Sequence, residues 1–173
     1  MNRPQSENTE QRLMLRRGVA RHERLFGVPT AVFRKMNTDF LDAHKRHWAD
    51  AELLYSQQRW ANADHLYGMA AECGLKRLML LFGMPFDVAG DRPSDRDDKV
   101  HADGIWTRYE TYRSGHRNGP GYALALSDPF TNWHIGQRYA HQSHFDPAHV
   151  DPHRQGAEHV GQLVKKAIMD GLL

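Results

Sequence analysis

Arg138 and His144 are separated by five residues, His141 among them. An arginine holds a phosphate by forked hydrogen bonds, and a histidine moves a proton near neutral pH. Together they carry the chemistry that breaks a phosphodiester without a metal. They lie in the stretch from Trp133 to His153, which holds five of the chain's twelve histidines and the aspartates Asp146 and Asp151. RNA cleavage of this kind needs a base for the ribose 2′-OH, an acid for the leaving oxygen and positive charge on the phosphorane. On one continuous helix Arg138 and His141 would sit about 60° apart, and Arg138 and His144 about 120° apart. His144 therefore converges with Arg138 only if the helix ends near Ala140 or His141. Phe145-Asp146-Pro147 favours such an end, because the residue before a proline avoids the α region. His144 is the first candidate for proton transfer and His141 the second.

Other polar clusters compete. Arg113, His116 and Arg117 flank a glycine-rich turn, Arg-Ser-Gly-His-Arg-Asn-Gly-Pro-Gly, that can bend around a phosphate. His141, His144, Asp146, His149, Asp151 and His153 form a metal-ligand alternative, with His149 and His153 at helical chelate spacing. Pro152 falls between those two and argues against a continuous helix there. No His-Glu-x-x-His motif occurs, so no metal and no cofactor is expected.

The elements that must position these groups read as helices. Asn37-Thr38-Asp39 caps a helix to about Gln58, with Leu41, His44, Trp48, Ala51 and Tyr55 on one face. A short connection leads to a helix over about 62–82, apolar on more than one side and carrying small residues at 70, 71 and 74. So short a join makes the two an antiparallel hairpin. Glu72 and Lys76 are spaced for an intrahelical pair. Residues 83–98 read as a charged loop and 99–113 as a third helix. Asp128-Pro129 is expected to open a helix that includes Phe130, Trp133 and Arg138. Asp151-Pro152 is expected to open the last one. No strand alternation, repeat or low-complexity tract appears. The fold class is all-α, a bundle of four to six helices over residues 37–173, preceded by a basic N-terminal arm or helix over residues 1–36.

The chain has 173 residues and a formal net charge of +2. Such balance gives no nucleic-acid signal, although Arg outnumbers Lys 17 to 6. The single cysteine, Cys73, excludes an intramolecular disulfide and a cysteine-based zinc site. No apolar run suits a membrane span, and the N-terminus lacks a signal-peptide core, so a cytoplasmic protein is expected.

The hairpin residues His47-Trp48-Ala49-Asp50-Ala51-Glu52-Leu53-Leu54, then Ala63, Ala70-Ala71-Glu72 and Leu75-Lys76, carry a resemblance when joined to the later Arg138-x5-His144. Over roughly residues 39 to 172 the chain resembles the HEPN family (higher eukaryotes and prokaryotes nucleotide-binding). That family's motif is an Arg, four to six residues and a His, late in a helical bundle. The resemblance implies metal-independent RNA cleavage by a homodimer in a toxin–antitoxin or antiviral setting, with an antitoxin or neighbouring-gene protein as partner. Two His144 at a two-fold axis would then supply both base and acid. Tyr139, beside the motif arginine and a candidate RNA contact, replaces the Asn, Asp or His of many active members. That departure sustains a first alternative, a non-catalytic nucleotide- or RNA-binding or interaction module. A metal-binding helical protein built on the histidine cluster is the second.

Overall fold

The computed structural model describes residues 37–124 and 127–173; the basic segment expected over residues 1–36 lies outside them. Helix α1 spans Phe40–Ser56. Asp39 starts it from an extended conformation, its carboxylate accepting 3.0 Å bonds from the amides of Leu41 and Asp42. Gln58 takes a left-handed φ of 58° and turns the chain directly into α2, Trp60–Leu81. Gly83, at φ 97°, ends α2, and the amide of Met84 reaches back 2.8 Å to the carbonyl of Met79. A glycine at this point is what a left-handed helix cap requires.

The charged loop that follows contains a small antiparallel ribbon. Strand β1, Phe86–Asp87, pairs with β2, Arg92–Pro93, in the register Phe86 to Pro93 and Asp87 to Arg92. Helix α3 spans Ala102–Ser114. Short 3-10 turns follow at Gly119–Tyr122, Ile135–Tyr139 and Gln142–His144, and α4 spans Pro147–Met169. The described residues thus form an all-α bundle of four α-helices, none long and apolar enough to cross a membrane.

Helix α2 is the centre. Tyr67, Ala70, Ala71, Leu75 and Leu78 have no exposed surface, and α1, α3 and α4 pack around them. The small residues set the spacing. A Cβ at Gly74 would lie 2.5 Å from Val160 of α4 and 2.8 Å from the His44 ring of α1. Lys76 and Glu72 form the expected pair at 2.7 Å.

Two helix starts differ from the sequence reading. Asp128-Pro129 opens only a turn, in which Asp128 holds the Phe130 amide at 2.9 Å and Trp133 bonds back to Phe130 at 3.0 Å. Phe130 and Trp133 both enter the core, but His134 is extended and breaks the chain before the 3-10 turn that carries Arg138, so no helix propagates. The last helix opens at Pro147, not Pro152. Asp146 accepts 2.9 Å from the His149 amide and caps it. Pro152 lies inside the helix and forfeits the bond to Ala148, an exposed residue, so water can satisfy that carbonyl.

Candidate functional site

The chain does break between Arg138 and His144. Ala140 and His141 are extended, at ψ 151° and 140°, so the two residues sit on separate 3-10 turns. Arg138 is exposed and stacks its guanidinium over the Tyr139 ring at 4.8 Å. Tyr139 is itself 80% exposed. His141 accepts from the Ser143 amide at 3.3 Å and lies 2.9 Å from its hydroxyl.

These turns face the start of α2 across two adjoining cavities. One, of about 530 Å³, has Arg59, Trp60, Asn62, His141 and Ser143 among its walls. The other, of about 270 Å³, is lined by Leu54, Asn62, His65, Leu66 and Arg138. Asn62 lines both, so the two cavities adjoin there and make one groove, polar on the Arg59–His141 side and more apolar beside Leu54 and Leu66. His144 lines neither. Among the described residues neither Arg59 nor Arg138 has a carboxylate partner, so both guanidiniums are available to a ligand. His65 is the unforeseen member. Its ring stacks on Trp133 at 5.5 Å, and its Nδ1 is shut from water without a hydrogen-bond partner. Burial first, then the nearby Arg138 charge, hold its pKa below the usual 6.5. Both favour the neutral imidazole.

The second expected phosphate loop is less available. Arg113 is tied to the Glu110 carboxylate and donates 3.2 Å to the Gly119 carbonyl. His116 accepts from the Asn118 amide at 3.2 Å and packs on Phe82 at 5.1 Å. Only Arg117 of that trio is exposed.

Beneath the groove lies a buried polar cluster that the chemistry of residues 138 to 144 did not foretell. Asp64 on α2 and His153 on α4 have no exposed surface. The His153 Nδ1 is 2.6 Å from Asp64 Oδ1, and its Nε2 is 2.9 Å from Asn132 Oδ1. Gln137 donates its amide N–H to the other oxygen of Asp64. Trp133 donates its indole N–H to the Asp64 carbonyl at 3.2 Å. His149 brings its Nε2 to 3.9 Å from Asp64 Oδ2. Because α4 runs continuously through Pro152, His149 and His153 do share a face; the proline argument against their convergence fails. A sequence signal for the cluster existed. Asp64 precedes Tyr67, Gly68 and Ala71 at helical spacing, and His153 falls between Val150 and Ala157 on the apolar stripe of α4. Polar groups on core stripes are either paired or functional.

No family model matches the chain, and comparison with curated proteins and with solved structures finds no match either.

Proposed function

We propose that the groove at the start of α2 binds an RNA phosphodiester and cleaves it by 2′-OH attack without a metal, the reaction class the HEPN resemblance implies, but with His65 and His141 in place of the motif's His144. The observation that carries this reading is that Arg59 and His141 line one cavity and His65 and Arg138 the next, the two meeting at Asn62. Neutral His65 takes the proton from the ribose 2′-OH. The 2′ oxygen attacks phosphorus, Arg138 and Arg59 meet the negative charge of the phosphorane, and His141 protonates the departing 5′ oxygen. The products are a 2′,3′-cyclic phosphate and a free 5′-OH. His141 replaces His144 as first candidate because it lines the groove and His144 does not.

Base and acid both come from one chain here, so the chemical reason for a homodimer falls away. The toxin–antitoxin or antiviral setting and a partner antitoxin rest on the family resemblance alone. A non-catalytic RNA- or nucleotide-binding module would use the same groove.

The test is purified protein on mixed RNA in excess EDTA, with end-group analysis of the products. Loss of an acid or a base costs about 10²–10⁴-fold in rate, so His65→Ala and His141→Ala should each lower cutting by that order. Arg138→Ala should weaken binding and turnover together, and His144→Ala should stay near wild type. RNA that binds uncut identifies the non-catalytic module. Loss of cutting in EDTA, restored by zinc in protein that circular dichroism shows folded throughout, replaces the reading with a metal-dependent one.

A further inference from the structure

We propose that Asp64, His149 and His153 bind one divalent transition-metal ion of the zinc class, tying α2 to α4. One ligand atom from each of the three lies within 4.8 Å of the others. Two imidazoles one helical turn apart, with a carboxylate from the facing helix, make a three-ligand set that leaves the fourth position to water. Imidazole nitrogen selects zinc, cobalt or nickel over calcium and magnesium, which take oxygen.

Two features point to a ligand rather than to ordinary packing. His149 Nε2 is closed to solvent and has no hydrogen-bond partner, yet it faces Asp64 Oδ2 at 3.9 Å. A buried ring nitrogen left without a partner costs free energy, and a metal bond to its lone pair would use it. The second feature is how His153 is held. Asn132 Oδ1, 2.9 Å away, accepts from its Nε2 and aims Nδ1 at the Asp64 carboxylate. Metal-bound histidines are oriented in this way, the remote ring N–H donating to an oxygen. A lone pair and a carboxylate 2.6 Å apart need a cation between them. A proton would serve His153 and Asp64 but would leave His149 unexplained. A metal ion serves all three.

The three ligand atoms lie within 4.8 Å of one another and must draw together to reach zinc geometry. Zinc bonds of about 2.0–2.2 Å place tetrahedral ligand atoms roughly 3.3 Å apart. The 2.6 Å separation of Asp64 and His153 would open, and the 3.9 Å separation of Asp64 and His149 would close, by comparable amounts. Gln137 and Asn132 restrain the carboxylate and the ring. The His149 side chain is 28% exposed and supplies the entry path.

The experiment takes the full chain, stripped with EDTA and dialysed. Zinc is titrated by calorimetry and thermal unfolding, and cobalt by visible absorption. One zinc per chain, a raised Tm and the intense visible bands of four-coordinate cobalt are expected. Asp64→Asn and His153→Ala remove buried partners and can unfold the chain, so His149→Ala is the decisive variant. Its imidazole makes no side-chain hydrogen bond that folding needs. The variant should fold with a Tm near that of the stripped wild type and bind zinc at least 100-fold more weakly. Asn132→Ala should lose 10–100-fold, the usual cost of removing a group that orients a metal-bound histidine. No binding at 100-fold excess zinc over protein overturns the site. So does binding that His149→Ala leaves unchanged, which would assign the ion to other histidines.

Discussion

Gly68 is the most informative position for packing, because it lies against the segment that carries the groove. A Cβ there would come within 3.0 Å of Cε2, Nε1 and Cζ2 of Trp133, closer than real Cβ atoms go. The indole is rigid, 1% exposed, and bonded to the Asp64 carbonyl at 3.2 Å. Gly68→Ala gains about 1 kcal/mol of helix propensity. Against that stand an overpacking cost of about 1–3 kcal/mol and the weakening of a buried hydrogen bond, about 1 kcal/mol. The net is a loss of about 2 kcal/mol, or a Tm lower by roughly 4–8 °C for a chain of this size. Gly104→Ala is the control. Its Cβ would meet Val100 at 3.5 Å, an ordinary contact, so it should stabilise by about 0.5 kcal/mol. In a Trp133→Leu background the obstacle is gone, and Gly68→Ala should turn stabilising, giving a coupling of about 2–3 kcal/mol. Urea unfolding of the four proteins and the control measures this. If Gly68→Ala is neutral or stabilising in the wild-type background, Trp133 does not sit on α2, and the groove built on that contact goes with it.

Other perturbations read the same structure. Asp98 is fully buried, 2.6 Å from the Arg108 guanidinium and 2.8 Å from the Tyr112 hydroxyl. Asp98→Asn should cost about 3 kcal/mol, the low end for breaking a buried ion pair, because Arg108 keeps some exposure; a loss below about 1 kcal/mol by urea unfolding would contradict the pairing. His44, His47 and His65 are all held below 6.5, chiefly by burial. The unfolded chain takes up these protons at a higher pH than the folded one, so stability present above pH 6.5 is lost as pH falls below it. Urea midpoints from pH 7.5 to 5 should decline, and His44→Gln should flatten the decline. An unchanged slope would place the His44 proton uptake outside the buried site, where its Nδ1–H donates 2.8 Å to the Ala70 carbonyl.

Local pattern determined the helices. The Asp39 cap, the stripe through Leu41, His44 and Trp48, and the apolar faces of α2 are all periodic signals. They place α1 and α2 within two residues of where they form, antiparallel and with α2 central. The same kind of signal erred wherever two sites offered one cap. Asp146-Pro147 and Asp151-Pro152 are equivalent as sequence; burial of Phe145 and Val150 chose the first. Asp128-Pro129 is an equally good cap, yet only a turn follows it, because His134 is extended and its ring caps a separate 3-10 turn. A break somewhere between Arg138 and Pro147 was legible, because the residue before a proline avoids the α region; that it falls at Ala140 and His141 was not. Which histidine faces Arg138 was not, because that depends on how two 3-10 turns lie against α2. Asp64 and His65 are some ninety residues from His153 and seventy from Arg138. Helical spacing marks Asp64 as a core-stripe position, but nothing in their own neighbourhood names His153 as its partner or assigns His65 to a groove wall. Only the packing of α4 and of the 128–144 segment onto α2 decides that, since burial is a property of what a residue meets and not of where it stands in the chain.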